Sequence, residues 1–315
     1  MERINDLALQ AYRVGTWQRE RLRVKEHTLP SGAHLLDLGV GEPGSPGAGL
    51  IAARITLGDL ARVRLLRDES INRTYVVVES ERPAHACLGC QYAVWNLPCP
   101  GGGAMASGPG RIPARKPRKL MEHLGLAEPP GPVVLFLECE ALPDDTTVAE
   151  IAAKTGAPPA SIYMACAPPH STAGSLQICA RALENTMLKL WTLGYDVNRV
   201  ARGEGRAPLA PLHATPREAM GAANDTLRWG GVARLEIRDP DTEALRKTVE
   251  QVPTRATRDR DRGFLEVLEK AGGDFGKVDP HLFCPARVVV KETTTGKTFE
   301  AGEIDEEKLR RVLRA

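Results

Sequence analysis

The sequence is organised around the stretch Ser171-Thr172-Ala173-Gly174-Ser175-Leu176-Gln177-Ile178-Cys179-Ala180-Arg181-Ala182-Leu183-Glu184-Asn185. It follows a turn at Pro168-Pro169, and Ser171 or Thr172 can accept hydrogen bonds from the free amides of a first helical turn. At 3.6 residues per turn, the apolar residues share one side of a helix: Leu176, Cys179, Leu183, Met187 and Leu190, with Trp191 at its edge. Gln177, Arg181 and Glu184 share the opposite side. The spacing predicts one helix whose apolar side faces the core.

The polar side of this helix has two interpretations. An Arg and a Glu three residues apart are usually a solvated ion pair, which stabilises a helix by about 0.2–0.5 kcal/mol. The alternative is that Arg181 and Glu184 face a substrate. The spacing alone favours the surface ion pair, so the decision rests on the rest of the sequence.

The composition is that of an ordinary globular protein with no strong charge. The chain has 315 residues, of which 42% are hydrophobic and 26% charged, enough for one large domain or two ordinary ones. Its net charge of +2 argues against nucleic acid or a membrane surface as a partner. There is no secretory signal and no apolar run of about 20 residues, and the seven cysteines are scattered. We expect a soluble cytoplasmic protein with reduced thiols.

Helical and strand patterns are interspersed along the chain, which predicts an α+β (mixed α/β) fold. The Pro-rich connection Glu128-Pro129-Pro130-Gly131-Pro132 is the best candidate for a domain boundary. The prediction is a first domain over 1–130 and a second over 131–284 that carries the helix with Arg181 and Glu184. A hairpin and helix over 285–315 are a candidate for completing the first domain.

Two Gly-rich segments, 39–49 and 101–111, could each hold an anion on free backbone amides. The first matches no nucleotide-binding fingerprint, and a tight strand-to-helix turn is the favoured interpretation. The second is followed by Arg115, Lys116, Arg118 and Lys119. For this segment, an anion site and a flexible loop next to a solvated basic helix remain equal alternatives.

A Cys-x2-Cys pair, Cys87 and Cys90, lies close to His85 and Cys99 and is compatible with a tetrahedral zinc site. The second Cys pair of a zinc ribbon is missing, and packing of small apolar cysteines in a helix is favoured. We therefore expect no metal site. A zinc-stabilised interaction protein remains the alternative from a different functional class.

Five segments fit one known pattern jointly in order and spacing. They are Ala86-Cys87-Leu88-Gly89-Cys90-Gln91-Tyr92-Ala93-Val94-Trp95, Ser107-Gly108-Pro109-Gly110-Arg111, Ala173-Gly174-Ser175-Leu176-Gln177-Ile178 with Arg181 and Glu184, Asn224-Asp225 with Gly230-Gly231, and Gly273-Asp274-Phe275 with Asp279-Pro280. Together they resemble the methenyltetrahydromethanopterin cyclohydrolase family over nearly the whole chain. Departures occur at Cys90, where Ser is usual, at Val94, where Gly is usual, and at Arg260 within Asp259-Arg260-Asp261, where Asp-Tyr-Gly is usual.

The resemblance implies two domains, each a β-sheet flanked by helices, with an active-site pocket between them, and a homotrimer. It implies a hydrolase acting on the carbon–nitrogen bonds of a cyclic amidine in the one-carbon metabolism of methanogenic or methylotrophic cells. The family reaction is the reversible hydrolysis of the methenyl bridge of methenyl-tetrahydromethanopterin to formyl-tetrahydromethanopterin. The small-molecule pterin derivative is the substrate, and no cofactor is expected.

The resemblance also assigns the site. Arg181 and Glu184 match the catalytic pair: Glu184 would act as general base, while Arg181 would hold the water and favour the carboxylate form. The expected substrate-binding residues are Cys90, Gln91, Tyr92, Ser107, Gly108, Arg111, Gln177, Asn224 and Asp225. The Ser107–Arg111 loop and Asn224-Asp225 have a structural turn as the alternative. A divergent relative that binds or acts on another pterin-like or folate-like ligand is the competing function.

Overall fold

The computed structural model describes residues 2–314, which form two compact units. The first unit contains the chain up to Ala61 and His85–Gln177; the second contains Arg62–Ala84 and the chain from Ile178 onward. Each unit has one mixed six-stranded sheet with helices beside it, which confirms the predicted fold class. The chain divides at residues 61, 84 and 177, so the expected boundary near residue 130 does not coincide with any of these points.

The elements within residues 2–314 have the following bounds. The strands are β1 (Lys25–Thr28), β2 (His34–Asp37), β3 (Arg62–Asp68), β4 (Arg73–Ser80), β5 (Trp95–Leu97), β6 (Ala104–Ser107), β7 (Val133–Glu138), β8 (Ile162–Ala167), β9 (Val200–Pro208), β10 (Val232–Ile237), β11 (Arg287–Glu292) and β12 (Thr298–Gly302). The α-helices are α1 (Ile4–Trp17), α2 (Arg19–Leu22), α3 (Pro46–Thr56), α4 (Arg118–His123), α5 (Asp145–Thr155), α6 (Thr172–Cys179), α7 (Ala182–Thr192), α8 (Pro216–Gly230), α9 (Thr242–Glu250), α10 (Phe264–Lys270) and α11 (Glu306–Arg314). A π-helical segment spans Ala84–Gln91.

The sheet of the first unit has the strand order β1-β2-β8-β7-β6-β5. Strands β2, β8 and β7 are parallel at its centre, and β1, β6 and β5 are added antiparallel. The apolar sequence of β7 explains its place at the centre of the sheet, because a strand that is covered on both faces needs an apolar residue at every position. Val134 and Phe136 pack towards α1 and α3, whereas Leu135 and Leu137 pack towards α5.

The sheet of the second unit has the order β12-β11-β10-β9-β4-β3. Its strands are antiparallel except for the parallel pair β10–β11, in which Val232 lies opposite Arg287. The predicted C-terminal hairpin is confirmed as β11–β12. Its expected return to the first domain is wrong, because Val288 and Val290 are buried where β11 pairs with β10 of the second unit.

Two helix starts agree with the sequence prediction. The carboxylate of Asp144 accepts hydrogen bonds from the amides of Thr146 and Thr147 at the start of α5. Thr215 caps α8, whose first residue is Pro216. Strand β9, in contrast, was not predicted, since its glycines and arginines are poor strand formers. No helix among residues 2–314 is long and apolar enough to span a membrane.

Candidate active site

The predicted helix over the central stretch is interrupted at Ala180 and Arg181, between α6 and α7. Helix α6 ends at Cys179 and α7 begins at Ala182, with Arg181 as the N-cap residue of α7. The amide of Arg181 donates to the carbonyl of Ile178 (3.0 Å), and the carbonyl of Arg181 accepts from the amide of Asn185 (2.8 Å). The expectation of one continuous helix is therefore wrong, and Glu184 lies in the first turn of a new helix.

Arg181 and Glu184 form a buried ion pair in the second unit. One guanidinium nitrogen of Arg181, Nη1, lies 3.9 Å from Oε2 of Glu184. The side chains are only 12% and 3% exposed, which rules out the solvated surface pair that the spacing favoured. The carboxylate also lies near the N-terminus of α7, where the helix dipole attracts negative charge. The guanidinium of Arg181 and the start of α7 thus both place positive charge near the carboxylate of Glu184.

The expected division of this stretch into an apolar and a polar side is wrong as well. All residues of α7 from Ala182 to Leu190 are buried, including the polar ones. Lys189 is 2% exposed, and its ammonium group donates to the carbonyl of His281 (3.0 Å). Burial lowers the pKa of Lys189. Helix α7 is therefore a core element of the second unit.

Two glycines of β9 set the position of the first turn of α7. A Cβ atom added to Gly205 would lie 2.3 Å from the backbone nitrogen of Leu183, and one added to Gly203 would lie 2.6 Å from its Cδ1 atom. Gly205 has to lack a side chain for the turn that carries Glu184 to lie this close to the strand, whereas Gly203 meets only side-chain atoms. The Gly-Glu-Gly spacing at 203–205 is the signal in the sequence, and it was missed because no strand was predicted there.

The segment Ala84–Gln91 is a π-helix, a form that is frequent at functional sites. Cys90 is fully buried with Ile4, Ile112 and Met121, and its thiol therefore belongs to the core of the first unit. Gln91 is also fully buried and donates from Nε2 to Oγ1 of Thr56 (3.3 Å). Of the three expected contacts in this segment, Tyr92 is the most accessible and is half-buried.

The loop Ser107–Arg111 follows β6 and packs on β7. Gly108 has a φ of 112°, and a Cβ atom there would meet the carbonyl of Val134 at 3.1 Å, so the position requires glycine. Its amide donates to the carbonyl of Cys90 (2.8 Å). Ser107 is 1% exposed, and its hydroxyl has no hydrogen-bond partner within residues 2–314. Arg111 is fully buried, which makes direct substrate contact by its side chain unsupported.

A buried asparagine that the sequence analysis missed holds this loop. Asn5 of α1 donates from Nδ2 to the carbonyl of Pro109 (3.1 Å) and accepts at Oδ1 from the amide of Val134 (2.8 Å). Both contacts span more than 100 residues of sequence. No local pattern could have revealed them, because Asn5 stands in an ordinary helical stretch.

Gln177 and Asn224 have partners within their own units. Gln177 is fully buried in α6 and donates from Nε2 to a carboxylate oxygen of Glu138 (2.8 Å) at the end of β7. The side-chain amide of Asn224 donates to the carbonyl of Met220 within α8 (2.9 Å). These contacts orient both side chains.

Asp225 anchors a loop in the second unit. One of its oxygens accepts from the amide of Phe264 (2.9 Å) and lies 3.3 Å from Nη1 of Arg228. Burial raises the pKa of Asp225 to about 6, although Arg228 and the Phe264 amide act in the opposite direction. Arg228 also donates to the carbonyls of Asp259 and Arg262 (2.8 Å each), so the pair fixes the segment that contains the divergent Arg260.

The first Gly-rich segment is a structural turn. The amides of Gly39, Val40 and Gly41 all donate to the carboxylate of Asp37, at 2.7–2.9 Å. The carboxylate of Asp37 therefore occupies the backbone amides that were considered for binding an external anion. The start of the second segment, Gly101–Gly103, joins β5 to β6 as a hairpin turn with positive φ angles.

The cysteines do not form a recognisable metal site. All seven are free thiols, and six of them are buried. Across residues 2–314, no group of three or more His, Cys, Asp or Glu side chains is arranged to hold a metal ion. Cys87 and Cys90 lie on the π-helical segment and pack in the core, as the favoured interpretation of this pair expected.

Comparisons with known proteins identify the family of this chain. A family model described as Cyclohydrolase (MCH) matches residues 3–313. The protein named methenyltetrahydromethanopterin cyclohydrolase from Methanocaldococcus jannaschii is 35% identical over 315 residues, covering 98% of both chains. Its namesakes from Methylobacillus flagellatus and Methylobacterium sp. are each 35% identical, covering 90% and 96% of this chain and 87% and 94% of theirs. On this evidence the chain belongs to the cyclohydrolase (MCH) family.

Proposed function

We propose that this protein catalyses the reversible hydrolysis of the methenyl bridge of methenyl-tetrahydromethanopterin to the formyl form. The observation that carries the proposal is the buried pair of Arg181 and Glu184 at the N-terminus of α7. It stands in a chain that the cyclohydrolase family model matches over residues 3–313. The relatives of similar length carry this activity in their names.

The bridging carbon of the substrate lies between two nitrogens and shares their positive charge, so it is already an electrophile. Water adds its oxygen to this carbon and loses one proton, which gives a neutral tetrahedral adduct. The adduct then breaks one of the two carbon–nitrogen bonds, and a hydroxyl proton is transferred to the nitrogen that leaves. The balance is one water consumed, one formyl group formed and one proton released.

Glu184 is the general base of this proposal. It accepts the proton of the attacking water and can return a proton to the leaving nitrogen when the adduct collapses. Burial supports this role, because a shielded carboxylate exchanges protons with the bound water in preference to bulk solvent. Arg181 keeps Glu184 ionised through its adjacent positive charge and holds the water with its planar fork of donors.

The remaining residues would bind the pterin. Tyr92 is the strongest candidate in the first unit because part of its ring is accessible. Ser107 offers a buried hydroxyl that has no described partner. Five further residues would contact the pterin or support the residues that do: Gln91, Gly108, Gln177, Asn224 and Asp225. Cys90 would contribute through its backbone. A homotrimer working in the cytoplasm, as the resemblance implies, completes the proposal.

The test is an absorbance assay of the purified protein that follows loss of the methenyl chromophore. Methenyl-tetrahydromethanopterin and methenyl-tetrahydrofolate are offered separately under the same conditions. The proposal expects rapid turnover of the first and at least about 10-fold lower kcat/KM for the second, since the pocket would be built for one pterin. Preference for the folate would establish the divergent-relative alternative. Stoichiometric zinc in the purified protein, without turnover of either compound, would establish the zinc-stabilised interaction protein.

A further inference from the structure

Arg111 is the largest fully buried side chain of the first unit, and one of its nitrogens meets three consecutive backbone carbonyls. Nη1 of Arg111 donates to the carbonyls of Leu88 (3.2 Å), Gly89 (3.3 Å) and Cys90 (3.0 Å). These carbonyls lie in the last turn of the π-helical segment, where the carbonyls of a helix point beyond its end. A cation at this end also matches the negative end of the helix dipole.

The guanidinium of Arg111 makes a second contact just beyond the segment. Its central carbon lies 5.5 Å from the centre of the Tyr92 ring, within the range of a cation–π interaction. One side chain therefore holds both the end of the segment and the aromatic ring that follows it. Tyr92 is the most accessible of the residues that the proposed function places against the pterin.

The loop that carries Arg111 is itself fixed to the sheet. A Cβ atom on Gly110 would lie 2.7 Å from Leu135 Cγ and 2.8 Å from Val133 Cγ1, so the loop lies directly on β7. Asn5 clamps the loop through the carbonyl of Pro109. A continuous chain of contacts thus runs from the central strand through Arg111 to Tyr92.

We propose that Arg111 is a positioning residue for the reaction: it fixes the end of the π-helical segment and the plane of the Tyr92 ring without touching the substrate. This inference rests on the proposed function and refines it. It replaces the expectation that Arg111 binds substrate directly. A lysine cannot take over the role fully, because an ammonium group that donates to the carbonyls leaves no planar guanidinium to lie over the aromatic ring.

The experiment compares R111M and R111K with wild type in the absorbance assay, at a temperature well below the unfolding midpoint of the least stable variant. Because Tyr92 would bind substrate and is not the base, the loss should be concentrated in KM. We expect KM of R111M to rise by about 10-fold or more, with a smaller fall in kcat, and R111K to be intermediate. Direct substrate binding, measured in an E184Q background, should weaken by the same factor as KM rises.

The control for stability alone is I151A, which removes a fully buried side chain on the α5 side of the same sheet. It should lower the unfolding midpoint while leaving KM and kcat within about twofold of wild type. An R111M protein with wild-type KM and a lowered midpoint would overturn the inference. If R111M does not fold, an R111K protein with wild-type KM would do the same. Lack of turnover by the wild type would instead refute the proposed function.

Discussion

At the residue scale, the spacing of Arg181 and Glu184 indicated the partners but not their environment. Pairs three residues apart on a helix are usually solvated, and only the family resemblance favoured a functional role. The structure places both side chains away from solvent, with Glu184 at 3% exposure. The break at Ala180–Arg181, which brings Glu184 into a first helical turn, could not be predicted because no Gly or Pro marks it.

Arg181→Lys tests whether the shape of the cation matters. We expect kcat to fall by at least about 10-fold, because an ammonium group offers a point charge where, in the proposed mechanism, the guanidinium holds both a carboxylate and a water. The unfolding midpoint should change little, since the positive charge is retained. Arg202→Lys, on the exposed side of β9, is the control and should keep wild-type kcat. Full kcat in R181K would remove the guanidinium from the mechanism.

Asp225 gives a prediction on pH. Its pKa is raised to about 6 from an ordinary value of 3.8, so the folded state binds this proton more tightly than the unfolded state does. A raised pKa stabilises the fold fully at low pH, and this stabilisation is lost as the pH rises through 6. The free energy of unfolding of wild type minus that of D225N should therefore fall by about 2 kcal/mol between pH 4 and pH 7.

Urea unfolding of both proteins across that pH range measures the difference directly. Other acidic groups titrate in wild type and variant alike, and their contributions cancel. A difference that is constant, or that grows with pH, would show that burial does not raise the pKa of Asp225.

At the element scale, segments with strong local signals were predicted well. The apolar run of β7, the capped starts of α5 and α8 and the β11–β12 hairpin all lie where their patterns indicated. Strand β9 was missed because its pairing with β4 and β10 outweighs the weak strand preference of its residues. The glycines of this strand lie against the first turn of α7, which contains Glu184.

The glycines of β9 can be tested as a pair. Gly205→Ala would bring a Cβ atom against the backbone of Leu183 and displace the first turn of α7, whereas Gly203→Ala meets only flexible side-chain atoms. We expect kcat to fall about 10- to 100-fold in G205A, since a shift near 1 Å costs that order of rate, and much less in G203A. The measurement is kcat of both variants, with R202A on the same strand as the control, and it shows which substitution slows the reaction more. Equal kcat values for G203A and G205A would contradict the account.

At the scale of the whole molecule, the fold class followed from the sequence but the partition of the chain did not. Element patterns predict strands, yet they do not say which distant strand each one joins. Strand β2 pairs with β8 across more than 100 residues, and the segment Arg62–Ala84 leaves the first unit to join the second sheet. The Pro-rich connection at 128–132 lies within the first unit, so its prolines mark a loop and not a boundary.

The central claim is that a buried carboxylate on α7 performs the hydrolysis of a methenyl-pterin. The most direct test is the absorbance assay on wild type and E184Q, together with the dissociation constant of the substrate for each. Glutamine keeps the shape of the side chain but cannot take a proton, so turnover should fall by about 10²- to 10⁴-fold while the dissociation constant stays within a few-fold. Near-normal turnover by E184Q would contradict the claim.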